Sequence, residues 1–134
     1  MNIQIAIATH KKYWIPKDSI YLPVHAGAAG KANISLSYQW DDEGENISLK
    51  NPNYCELTAL YWLWKNSKAE YLGLAHYRRH FTREECSYEE LKQWNILTDN
   101  EWKKLLNTAP VVVPDKRKYY IESNTTLQDS SSIR

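Results

Sequence analysis

The sequence predicts an α/β fold, and three observations carry that prediction. Residues 3–8 are an apolar run in which Ile3, Ile5 and Ile7 alternate with smaller residues, as in a central strand covered on both faces. Residues 52–65 follow a helical pattern and are apolar around much of their circumference. Residues 70–75 return to a short apolar strand pattern. Strand, buried helix and strand in succession predict a mainly parallel sheet with at least one crossover and flanking helices.

The elements follow in order. The first strand stops abruptly at Thr9-His10-Lys11-Lys12. Residues 20–24 have an extended pattern, but Pro16 and Pro23 argue against a regular element there. DDEGEN, at 41–46, is a turn by composition. Asn51 suits the N-cap of the long helix and Pro52 its first turn. Leu57, Leu60, Tyr61 and Trp64 fall at i, i+3, i+4 and i+7 and form one apolar face. Cys55, Ala59, Trp62 and Leu63 extend the apolar character to the other side, so this helix is expected to be buried on more than one side. Ser87-Tyr88-Glu89-Glu90 and Thr98-Asp99-Asn100-Glu101 are capping boxes that open two further helices. Trp102, Leu105 and Leu106 make the apolar stripe of the second. Residues 111–113, three valines, read as another buried strand of the same sheet. The last twelve residues, SNTTLQDSSSIR, are too polar to add core and read as disordered. The expected division is a domain over 1–122 and a polar tail over 123–134.

Composition narrows the function. The 134 residues suit one domain, and 17 basic against 16 acidic residues give a net charge of +1. So balanced a chain does not read as a nucleic-acid binder, and any anion site must be local. Cys55 and Cys86 are too few for a disulfide framework and fit free thiols in a reducing compartment. The N-terminus lacks the pattern of a signal peptide, and no apolar stretch is long enough to span a bilayer, so a soluble cytoplasmic protein is expected. Ten Tyr and six Trp stand against one Phe. Such rings suit places where an apolar body meets a polar site.

The densest chemistry is at 76–80, His-Tyr-Arg-Arg-His, directly after the second predicted strand. Ligands of open α/β sheets bind beyond the carboxyl ends of the strands. If the two strands are parallel neighbours, His10 and Lys11 converge with His76 on one cleft. An extended chain would put His76 and Arg78 on one side and Tyr77 and Arg79 on the other. Guanidinium groups bind two phosphate oxygens at once; the competing reading pairs Arg78 and Arg79 with surface acids. Asp41, Asp42 and Glu45 have the oxygens for a hard divalent cation but not the spacing of a calcium loop, and an exposed acidic turn is the simpler reading. Glu56 is the one acid inside the apolar helix; it is either functional or paired with an arginine. His76 and His80 have i, i+4 spacing but no HExxH motif, the cysteines are remote, and no glycine-rich phosphate loop is present.

Four segments in order, ATHKKYWIP, NISLKNPNYCELTALYWLWKN, YLGLAHYRRHF and VVVPDKRKYYIE, resemble the bacterial family called domain of unknown function 4422. The resemblance spans residues 3 to about 122. It implies a Rossmann-like, A-type glycosyltransferase domain of capsular or exopolysaccharide synthesis, lacking part of its C-terminal half. Its partners would be a nucleotide-sugar donor and a glycan or lipid-linked glycan acceptor, at the inner face of the membrane. Many such enzymes carry an Asp-x-Asp metal site after an internal strand. Here His-Tyr-Arg-Arg stands at the corresponding place, so donor binding without metal is expected. Thr9, His10, Lys11, Tyr77, Arg78 and Arg79 would hold the donor, with Glu56 and His76 as catalytic candidates. Mg²⁺ or Mn²⁺ near Asp41, Asp42 and Glu45 is the alternative, and a non-catalytic nucleotide- or carbohydrate-binding module is the alternative function. For this chain weak donor binding, little transfer and self-association through an exposed apolar face are expected.

Overall fold

The computed structural model describes residues 1–31, 37–84, 95–115, 119–120 and 132–133. Four parallel strands form one sheet in the order β3-β2-β1-β4. They are β1 (Ile3–Thr9), β2 (Tyr21–His25), β3 (Gln39–Trp40) and β4 (Tyr71–His76). The predicted parallel α/β arrangement is thus the observed one. β1 lies in the middle, with Ala8 beside His76 of β4 and Thr9 beside His25 of β2. The strand order turns back between β1 and β4, so their carboxyl ends flank the crevice where such sheets bind ligands.

The two faces of β1 explain the two layers. Ala6 and Ala8 join Val24 beneath Ala59, Trp62 and Leu63 of helix α2 (Leu57–Asn66). Small residues on β1 let the helix approach closely. Ile5, Ile7, Tyr21, Ala75 and Tyr77 form the opposite core with Trp102 of helix α3 (Asp99–Thr108). The Trp102 indole donates to the Tyr21 hydroxyl at 3.0 Å. Burial pushes the Tyr21 phenol up to about 12. α3 begins at the expected capping box, with Thr98 and Glu101 bonded reciprocally. The other capping box, at 87–90, lies outside the described residues.

Four expectations need correction. The long helix is two pieces, α1 (Asn51–Tyr54) after a 3₁₀ turn (Ser48–Lys50), then α2. Cys55 breaks them with φ of 51°, a conformation that a helix cannot continue. Asn51 does not cap; its amide donates to Cys55 O and Thr58 Oγ1 and holds the break together. Second, the buried face of α2 is Thr58, Ala59, Trp62 and Leu63, whereas Leu57 and Trp64 are 48% and 59% exposed. Third, residues 111–113 form no strand, and Val111 and Val113 are mostly exposed. Pro110 and Pro114 bracket them, and neither can donate to a ladder. Fourth, Pro23 sits inside β2. Ala26 N and Ile20 O bond toward β1, so residue 23 points toward β3, which starts only opposite Val24. Its missing N–H therefore costs no described ladder bond.

Of the expected tail, Ser132–Ile133 (β6) pairs antiparallel with Tyr119–Tyr120 (β5), and the rest lies outside the described residues. Cys55 is a free, exposed cysteine, and Cys86 lies outside the described residues. Among the described residues no helix is long and apolar enough to cross a membrane.

Candidate functional site

The carboxyl ends of β1 and β4 meet in a cluster of cations around one buried ring. Tyr77 N donates to Ala8 O at 3.1 Å and fastens the two strand ends together. The Tyr77 ring is 4% exposed and packs edge-on against Tyr13, 4.9 Å between centroids. His10 meets the same ring edge-on at 5.3 Å. Lys11 Nζ lies 5.7 Å from its centroid and Arg78 Cζ 5.4 Å. His10, Lys11, His76 and Arg78 are therefore neighbours around one ring, as the parallel pairing of β1 and β4 implied.

The loops that carry these groups are locally tied. Thr9 is buried, and its hydroxyl donates to Lys11 O and accepts from Lys11 N, folding the strand end back on itself. Its role is to aim His10 and Lys11. After His76 the chain does not stay extended. Arg79 N donates to His76 O at 2.9 Å and His76 N to Arg79 O at 3.2 Å, a two-residue hairpin with Tyr77 and Arg78 at its corner. Strict alternation ends there: Tyr77 turns into the core while Arg78 and Arg79 are both exposed. Among the described residues neither arginine, nor His10 or Lys11, makes an ion pair. The surface-pairing reading of Arg78 and Arg79 thus finds no carboxylate partner there.

His76 is the pivot of the electrostatics. Arg78 N donates to His76 Nδ1 at 3.3 Å, which leaves Nε2–H as the free donor of the neutral ring. Burial pushes its pKa down; Glu56 opposes that, and Arg78, Arg79 and His10 push it further down. Glu56 is thus in electrostatic reach of His76, but not where the sequence suggested. It is exposed at the start of α2, in the break after Cys55, rather than buried in a helix.

The acidic turn is divided in a way composition did not show. Asp41 is fully buried and takes four donors: Gly27 N at 2.7 Å, Ala28 N at 3.0 Å, Ser48 Oγ at 2.5 Å and Thr58 Oγ1 at 2.6 Å. Gly27 is needed there, because a Cβ would come within 2.5 Å of the Asn51 side chain and its φ is 70°. With both oxygens engaged, Asp41 does not fit a metal ligand. Glu45 faces solvent, 4.0 Å from Lys65 Nζ. Among the described residues no three His, Cys, Asp or Glu side chains are grouped to hold a metal ion.

His25, which sequence reasoning passed over, ends β2 one strand away from this cluster. It is 1% exposed and edge-on to Trp40 at 5.9 Å, and its Nδ1 has no hydrogen-bond partner among the described residues. Burial lowers its pKa; Asp41 and Asp42 oppose that, and His10 and Lys31 add to the lowering. The only signal available in the sequence was its position after an apolar extended run.

Residues 4–131 match the sequence model of the family described as domain of unknown function, DUF4422. The chain belongs to that family. The match runs beyond residue 122, where the quoted motifs end. No curated protein matches the chain. Among solved structures it is similar to the apo structure of WbbM, a bifunctional glycosyltransferase, at 44% identity and a TM-score of 0.58. The similarity covers 64% of this chain and 15% of the WbbM chain. The chain therefore corresponds to a small part of that protein's length.

Proposed function

We propose that the chain is a glycosyltransferase domain that binds a nucleotide-sugar donor at the carboxyl ends of β1 and β4. The observation that carries the reading is the convergence of His10, Lys11, His76 and Arg78 on the Tyr77 ring at these strand ends, with Arg79 beside them in the chain. All four of His10, Lys11, Arg78 and Arg79 are exposed there, where ammonium and forked guanidinium donors can meet the oxygens of an anion. The similarity to a bifunctional glycosyltransferase supports a sugar-transfer role. A role in capsular or exopolysaccharide assembly, with a glycan or lipid-linked acceptor at the inner membrane face, accords with the family resemblance.

In this reading the donor diphosphate lies across Lys11 and Arg78, and His76 Nε2–H donates to a phosphate oxygen. Charge-assisted hydrogen bonds are worth about 1.5–3 kcal/mol each, so two or three stabilise the leaving group without a metal. In the transfer step the bond between the anomeric carbon and the diphosphate oxygen breaks, and its electron pair leaves on the diphosphate. The acceptor oxygen bonds to the anomeric carbon, and its proton passes to a carboxylate, the role proposed for Glu56. Thr9 and Tyr77 act beneath the surface, by shaping and supporting the loops.

The test is thermal shift with UDP-, GDP- and CMP-sugars, with and without EDTA. A donor at a hundred times its dissociation constant stabilises by roughly 2.7 kcal/mol, and EDTA leaves that shift unchanged. A shift abolished by EDTA and restored by Mn²⁺ replaces the cationic site with a metal site. Slow release of sugar from the bound donor separates an enzyme from a binding module.

A further inference from the structure

Among the described residues β4 is an edge strand of the sheet. Tyr71 N and Tyr77 N bond toward β1, to Asn2 O and Ala8 O. Odd residues of β4 therefore face β1, and Leu72 and Leu74 turn their backbone groups outward. Among the described residues no backbone group pairs with those four atoms. The next outward residue, His76, is closed off by its hairpin with Arg79. Edge strands are ordinarily blunted by charge, proline or a bulge. β4 reads YLGLAH and has no charged residue before its terminal histidine.

Apolar cavities flank this edge on both faces of the sheet. One, of about 440 Å³, lies between Leu72 and the outer face of α2, with Leu57, Leu60, Tyr61 and Trp64 in its wall. The other, of about 350 Å³, lies between β4 and the 110–114 segment, with Phe81, Trp102 and Leu106 in its wall. Leu60 and Leu72 line both, so the apolar surface wraps continuously around the strand. Eight large apolar residues are exposed among the described ones, and four of them, Leu57, Trp64, Val111 and Val113, line these two cavities.

We propose that this edge is the interface of a homodimer, with β4 of two copies paired antiparallel about a two-fold axis at Gly73. The pattern of free groups selects a second copy. In an antiparallel pair, opposite residues alternate between those that exchange two hydrogen bonds and those that exchange none. With Gly73 opposite Gly73 of the second copy, Leu72 faces Leu74 of that copy, and the reverse pair repeats it. All four outward groups on each strand edge are then bonded, and no group blocked by the 76–79 hairpin is needed. The glycine falls at the non-bonded pair, where the strands come closest, about 4.5 Å between Cα atoms. The axis sets α2 beside its mate and the 110–114 segment beside its own, so each cavity is walled by its symmetry copy. A net charge of +1 opposes this little. The interface stands apart from the cationic cluster, and its failure leaves the donor-binding reading untouched.

Sedimentation velocity of the 134-residue chain over a wide dilution series is the primary experiment. A monomer–dimer equilibrium is expected, and amide exchange at Leu72 and Leu74 should slow as the dimer fills. Trp64→Glu, at a position 59% exposed and so tolerant in the monomer, should weaken dimerisation by about tenfold or more. A chain that stays monomeric at every concentration overturns the proposal. So does a dimer that Trp64→Glu leaves unchanged, or protection of Leu72 and Leu74 that does not vary with concentration, which would mean that the chain's own 111–113 segment covers the edge.

Discussion

Two neighbouring regions at the carboxyl end of one sheet treat charge in opposite ways. Beyond β2 and β3, Asp41 is buried and receives four hydrogen bonds. Beyond β1 and β4, Lys11, Arg78 and the His10 ring stand around Tyr77 with no carboxylate paired to them among the described residues. A carboxylate with every lone-pair direction occupied has nothing left to offer a ligand, and its work is to join the 27–28 loop, the 3₁₀ turn and α2. Exposed basic groups gathered about one ring keep their donors available to an anion. Satisfaction of hydrogen-bonding capacity, more than the kind of residue, separates the structural charge of Asp41 from the charges proposed to bind a donor.

The strongest way to break this comparison is Asp41→Ala. It strands two backbone N–H groups and two hydroxyls in a buried place, and removing one side of a buried charged network costs about 3–5 kcal/mol. Chemical denaturation should show that loss; a change below about 1 kcal/mol would mean that Asp41 is not structural and would return the acidic turn to the list of ligand sites. Arg78→Ala is the counterpart. Stability should change by no more than about 0.5 kcal/mol, as for an exposed residue without partners. Affinity for a nucleoside diphosphate should fall about tenfold to a hundredfold, the equivalent of one charge-assisted hydrogen bond. In a form of the enzyme that turns over, the loss should reach about 10²–10³. Equal affinity in the variant and the parent would make Arg78 an ordinary surface residue.

The smallest effect is in pH. His25, His76 and His80 all have their pKa values lowered, chiefly by burial. A histidine that resists protonation in the folded state binds fewer protons there than when unfolded. Stability from these groups is complete above the unfolded value of about 6.5 and declines as pH falls below it, levelling off beneath the folded values. Melting temperature should therefore drop between neutral pH and pH 5, and His25→Gln should flatten the slope. A melting temperature that rises on acidification would contradict the buried, neutral state of these rings.

Much of this architecture was written locally. β1 and β4 are largely apolar and end in abrupt polar stretches, and Thr98 and Glu101 cap α3 through contacts three residues apart. Their alignment side by side brought His10 and His76 together as the parallel reading required. Features that depend on distant partners were not legible. Both stripes of α2 are apolar, so periodicity had no means of choosing the one that packs on Ala6 and Ala8. Thr58 belongs to the buried stripe because Asp41, seventeen residues earlier, bonds to it.

The sequence by itself determined the α/β class, the parallel pairing of its two most apolar strands, the start of α3 and the concentration of cations at residues 10–11 and 76–79. Each of these rests on interactions between near neighbours in the chain or on a run of apolar residues that must be buried somewhere. Only the tertiary structure decided that Arg78 and Arg79 share the exposed side of a hairpin, that Asp41 is filled by donors from three segments, that Pro23 fits inside a strand and that residues 111–113 stay out of the sheet. Those outcomes depend on which backbone and side-chain groups meet across the fold, and hydrogen bonds between residues far apart in sequence leave no periodic trace along it.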